Sequence, residues 1–204
     1  MPAYFCVRFI CEKKNIYPNM VKDFYESLLA GGFSFLSGYW GSEEDSFEEI
    51  AAWNQKKLEA NYEPESAEHY SRRYKQILFD YGGFSEVRMY MLNEREEEEF
   101  SFDLIVPEDE LIEWNEGKPA YRPDRMEGLR RLAERIWQQP YIYMVQTELE
   151  LSDPAPTGAE ILAGAMPGVE PFAILPKHMW QTYCQSQKGT AVEGDISERF
   201  VERT

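Results

Sequence analysis

Two histidines, His69 and His178, are all that the chain offers as a base for a serine or cysteine nucleophile. Such a nucleophile needs its base within hydrogen-bond reach. His178 stands six residues before Cys184 in "HMWQTYC", but nothing around the pair resembles a nucleophile setting. His69, flanked by Tyr70, Arg72 and Arg73, reads as a surface residue. No catalytic residue is assigned. Metal chemistry is no better served, because Cys-x-x-Cys, His-Glu-x-x-His and a calcium-type Asp-rich loop are all missing from the sequence. Glu108, Asp109 and Glu110 would hold a divalent ion only as loosely as any acidic surface, so no metal is expected. The glycine pairs Gly31-Gly32 and Gly82-Gly83 both read as following helices, whereas a phosphate-binding turn precedes one. No cofactor is expected. A glycosidase's two carboxyl groups need not be close in sequence, so 37 acidic residues neither support nor exclude one.

What remains is a surface. "SGYWGSEEDSFEE", residues 37–49, places Tyr39 and Trp40 between glycines and ahead of five acids, beginning with Glu43, Glu44 and Asp45. A second concentration is "EREEEEF", where Glu96, Glu97, Glu98 and Glu99 follow one another. Rings supply area to bury and carboxylates supply steering and specificity, so these residues are the expected contact for a basic protein partner. A plainer reading makes Trp40 core at a strand end and the glutamates a solvated tip that keeps the sheet edge from pairing.

The charge map bears on the same question. The net charge is −16, but residues 1–39 sum to +1, 40–116 to −15 and 117–204 to −2. Such a field repels nucleic acid and anionic membrane and attracts basic partners. Solubility alone is the competing explanation.

These residues must be positioned by elements that the hydrophobic pattern outlines. Phe5, Val7, Phe9 and Cys11 alternate as in a strand. Met20, Val21, Phe24 and Leu28 follow helical spacing after Pro18 and Asn19, with Gly31-Gly32 as the stop. Residues 33–40 read as strand, and Phe47, Ile50, Ala51 and Leu58 as a second helix. Ser66, Tyr70, Tyr74, Ile77, Leu78 and Tyr81 predict a third, ended by Gly82-Gly83. Residues 84–92 and 100–106 alternate and predict an antiparallel hairpin with the glutamates at its tip.

"EDELIEW" reads as a short acidic helix, residues 124–140 as the clearest helix, and 141–151 as a strand. Arg125, Arg130, Arg131 and Arg135 lie on the exposed face of the clear helix, with the protein's own acidic middle as their simplest partner. "GGFSF" at 31–35 and "GGFSE" at 82–86 hint at a repeated helix–strand unit, although two glycine-terminated helices explain the match more cheaply. The expected fold is α+β: a mixed sheet with an antiparallel hairpin and helices packed on it. "SDPAPTG", residues 152–158, is the best linker candidate. The expected organisation is therefore a main domain over 1–151, with a linker and C-terminal extension over 152–204 packed on it. After the linker, "AEILAGAM" suggests a short helix and "PFAILP" a short strand, ahead of a weakly patterned tail.

Cys6, Cys11 and Cys184 are odd in number and lack framework spacing, as expected in a reducing compartment. No stretch approaches the roughly 20 apolar residues of a membrane span. Arg8 interrupts the apolar start, which reads as a first strand rather than a secretion signal. A cytoplasmic protein is expected.

A strand ending in Tyr39-Trp40-Gly41, then a polar loop with Ser46 and an acidic helix start, resembles predicted immunity proteins of bacterial toxin systems. The resemblance covers about ten residues. It implies a small, soluble, cytoplasmic α+β protein that binds and neutralises a cognate toxin, and it implies no catalytic residue. The leading expectation is thus a non-enzymatic protein-binding module, an inhibitor or immunity factor for a basic partner. An enzyme whose pocket the sequence does not advertise is the alternative, and a structural subunit the third reading.

Overall fold

A computed structural model describes residues 3–62, 73–115 and 118–186. β1 (Tyr4–Glu12) buries Phe5, Val7, Phe9 and Cys11 on one face. α1 (Met20–Leu29) follows Asn19, which takes φ 70°, and turns Met20, Val21, Phe24, Tyr25 and Leu28 inward. Gly32, at φ 93°, then redirects the chain into β2 (Ser34–Tyr39). α2 (Phe47–Glu59) opens with a reciprocal cap. The Ser46 hydroxyl accepts from the Glu49 amide, and the Glu49 carboxylate accepts from the Ser46 amide.

β3 (Gln76–Asp80), β4 (Val87–Asn93) and β5 (Glu99–Pro107) form a meander. The small hairpin β6 (Ile112–Asn115) and β7 (Lys118–Tyr121) leads into α3 (Pro123–Trp137). β8 (Met144–Leu149), α4 (Gly158–Leu162), β9 (Ala173–Ile174) and α5 (Lys177–Ser186) complete the described chain.

Seven strands make one sheet in the order β2-β3-β4-β5-β1-β8-β9. Its strand pairs are antiparallel, and the bridge between Thr147 and Val169 is parallel. The fold is α+β, with helices on both faces. α1, α2 and α3 share one core with the first face, where Phe24 stacks on Phe102 at 3.9 Å and 6°. α4 and α5 cover part of the second face through Ile161, Met179 and Tyr183, packed on Ile10 and Met144.

Four expectations are corrected. The third helix is not formed over its described part, since residues 76–80 are β3; Ser66 and Tyr70 lie outside the described residues, as does His69. Ile77 and Phe79 alternate into the core, and tertiary pairing on both sides decides between two periods that both fit. Gly82 and Gly83, at φ 61° and 70°, therefore join two strands, which removes the repeated helix–strand unit. "EDELIEW" forms one 3-10 turn (Glu108–Glu110) before becoming β6, and the weakly patterned tail begins with α5.

The 152–158 segment is pinned to the sheet. The Ala155 amide donates to Glu148 (2.9 Å), the Gln146 side chain donates to the Pro156 carbonyl (2.8 Å) and the Gly158 amide donates to Glu99 (3.1 and 3.2 Å). Among the described residues no helix is long and apolar enough to cross a membrane.

Candidate functional site

The second face of the sheet is organised in rows that run across β4, β5, β1 and β8. One row reads Tyr90, Asp103, Arg8, Gln146. On one side lies Arg88, Ile105, Cys6, Glu148, and on the other Leu92, Ser101, Ile10, Met144. Period-two alternation puts these residues opposite the large core, so polar side chains here occupy the middle of a sheet.

Arg8 is the centre of the arrangement. Its Nε lies 3.1 Å and its Nη2 3.0 Å from Asp103 Oδ2, and Nη2 lies 2.7 Å from Glu148 Oε1. Asp103 is fully buried. Burial opposes the charge on Arg8, but Asp103 and Glu148 outweigh it and hold the guanidinium protonated well above its usual range. Burial, then the Asp103 charge, pushes the Tyr90 phenol far up. Burial likewise raises Cys6 on this face and Cys11 on the other, which leaves both as inert thiols. A cavity of about 300 Å3 opens beside Arg8, Tyr90 and Glu148, and a second of about 180 Å3 opens on the far side of Arg8, under Pro154–Thr157.

The aromatic site residues sit at the free side of this face. Tyr39 ends β2 and stacks on Trp40 (5.8 Å, 26°). The Arg88 guanidinium lies 4.8 Å from the Tyr39 ring and 4.5 Å from the Tyr4 ring, so a cation is held between two tyrosines. Glu86 fixes it by pairing with Arg88 (2.7 Å) and accepting from the Tyr4 hydroxyl (2.9 Å). Trp40 takes φ 51° and is 47% exposed. The turn that carries it closes tightly, with the Ser42 hydroxyl donating to the Tyr39 carbonyl at 2.8 Å.

The acids divide. Glu43 accepts from the Gly41 amide (3.0 and 2.9 Å), and that bond holds its carboxyl below the usual range. Asp45 pairs with Lys75 (2.7 Å) and Glu44 is exposed. Glu96, Glu97 and Glu98 are exposed at the β4–β5 tip, while Glu99 begins β5 half-buried under the Gly158 amide. Burial raises the Glu99 carboxyl, Gly158 opposes, and the nearby Glu12, Glu97 and Glu160 raise it further. The strand registers run Tyr39 and the tip out at the same end of the sheet. Two strand spacings, about 10 Å, separate them laterally.

Three further groups take their places elsewhere. Arg125 reaches Glu110 (3.3 Å), whereas Arg130 and Arg131 pair within α3 with Glu134 and Glu127. Arg135 donates to the Ala30 and Ser27 carbonyls at the end of α1. His178 and Cys184 are both exposed on α5, six positions apart and on different sides of it. Among the described residues no three His, Cys, Asp or Glu side chains are grouped to hold a metal ion.

Sequence reasoning did not find the Arg8, Asp103 and Glu148 cluster. The available signal was an arginine in mid-strand together with an aspartate in an otherwise apolar alternating run. No protein-family model, curated protein or solved structure matches the chain.

Proposed function

We propose that this protein is a non-enzymatic binding module for a basic protein, an inhibitor or immunity factor by role, and that it binds through the β2–β4 side of the second sheet face. One observation carries this reading: Trp40 is held exposed on Tyr39, with Leu36 (56% exposed) and Leu92 (43% exposed) on the same sheet. An exposed aromatic held against a second ring makes an anchor at low entropic cost. Glu43 and Glu44 beside it in sequence, and the tip acids at the same end of the sheet, supply the charge that steers a basic partner.

The test is retention of a basic protein from host lysate on the immobilised chain at low salt, with release at high salt. Trp40→Ala should weaken that partner by about 30-fold while leaving Tm unchanged, as a hot-spot residue does. A retained set that is the same for wild type and Trp40→Ala overturns the reading.

The enzyme alternative draws support from Arg8 and Tyr90, since perturbed titratable groups beside a cavity are what catalytic sites use. Under that reading a small-molecule panel raises Tm, and Trp40→Ala is silent.

A further inference from the structure

The cavity of about 180 Å3 on the row Leu92, Ser101, Ile10 has its own chemistry. Leu92 and Ile10 give it apolar walls from the sheet, and Pro154 and Pro156 give it an apolar roof. Glu94, Glu97 and Glu99 line it from the hairpin. Ser101 is 5% exposed and lines the cavity, which adds a hydroxyl able to donate and accept to its apolar walls. Arg8 also borders the space, but Asp103 and Glu148 both hold its guanidinium, so that group of three carries a net negative charge.

We propose that this cavity takes a single lysine side chain from the partner, an inference that rests on the binding role argued above. The four-carbon stem lies between Leu92, Ile10 and the two prolines. The ammonium has three donors, which match two carboxylates, Glu97 and Glu99, and the Ser101 hydroxyl. An arginine fits less well, because its planar fork is wider and would stack a second guanidinium beside Arg8. The size agrees, since ligand sites for whole small molecules run to roughly 300–1,000 Å3. Glu99 supplies a further argument: it is a carboxylate crowded by burial and by other acids, and a bound cation relieves that crowding.

The experiment is an NMR titration of the full, isotope-labelled chain with N-acetyl-lysine methylamide. N-acetyl-norleucine methylamide, which keeps the stem and lacks the ammonium, and N-acetyl-arginine methylamide are the comparisons. The lysine compound should shift the Leu92, Ser101 and Thr157 amides and saturate. The norleucine compound should bind at least about tenfold more weakly, the loss expected for a charged hydrogen-bonded group. Glu97→Gln/Glu99→Gln should weaken the lysine compound by about tenfold or more, and Ser101→Ala by a smaller factor. Shifts confined to other residues, equal binding of the norleucine or arginine compound, or indifference to the Glu97→Gln/Glu99→Gln change would each overturn the proposal.

The two readings fail separately. Lysine binding with no protein partner sensitive to Trp40→Ala leaves the pocket standing and removes the binding role as argued. A partner lost with Trp40→Ala but indifferent to Glu97→Gln/Glu99→Gln leaves the role and removes the pocket.

Discussion

Arg8 and Asp103 face each other directly across the β1–β5 pair, and the guanidinium grips the carboxylate through Nε and Nη2 where Asp103 has no solvent exposure. A buried ion pair of this kind contributes little net stability compared with an apolar pair of the same shape, because both charges lose their hydration. Removing one partner, however, leaves the other charge stranded.

Arg8→Met should therefore destabilise the fold by about 3 kcal/mol, a fall in Tm of about 6–12 °C for a chain of this length. Arg8→Met/Asp103→Leu should recover most of that loss, with Tm within about 4 °C of wild type. Thermal unfolding of the single and double variants checks the pair. If the double variant is no better than the single, Arg8 serves Glu148 more than Asp103.

The turn that presents Trp40 depends on Gly38, where a methyl group would run into the Ser42 carbonyl. Gly38→Ala should cost about 1–3 kcal/mol by forcing that backbone apart. Trp40→Ala removes a half-exposed ring stacked on Tyr39 and should move stability by less than about 1 kcal/mol. Paired urea titrations separate the two effects. Equal destabilisation would mean that the Trp40 ring supports the turn rather than being displayed by it.

Glu99 gives the fold a pH dependence of definite sign. Its folded carboxyl titrates above the unfolded value, so the native state holds that proton more tightly. Its favourable contribution is complete below the unfolded pKa of roughly 4.3 and is lost as pH rises through the folded value. Glu99→Gln keeps an acceptor for the Gly158 amide and removes the ionisation. It should raise Tm at pH 7 by a few degrees at most and leave Tm near pH 4 unchanged. Melting curves at the two pH values decide it, and a lower Tm at pH 7 would show that the ionised carboxylate is preferred.

The parts of the fold that could be read from sequence are those whose periodicity is unambiguous. β1, α1 and α3 have apolar spacing that fits one period only, and the β4–β5 hairpin has two clean alternations. β3 is ambiguous in sequence because Tyr74, Ile77, Leu78 and Tyr81 suit a helix while Ile77, Phe79 and Tyr81 suit a strand. Strand pairing to β2 and β4 decides between them, and no local pattern contains it. The aromatic and acidic residues proposed for contact are legible as a stretch, but the division of labour among the acids is not. Glu43 turns onto its own loop, Asp45 onto Lys75, and Glu99 under the strap at Gly158. Arg8 stayed hidden for a topological reason: Asp103 lies 95 residues away, and only the register of β1 with β5 brings it alongside.

That register also orders events during synthesis. Phe9 is made well before its neighbours across the sheet, Phe102 and Val145. At about 5–20 residues per second, β1, an interior strand of the sheet, waits roughly 5–20 s for its first pairing surface and longer for its second. The β2–β3–β4 side of the sheet is free to pair first, and β1 joins it only once β5 has been made. The nascent Phe5, Val7 and Phe9 segment is the one that a chaperone has reason to hold.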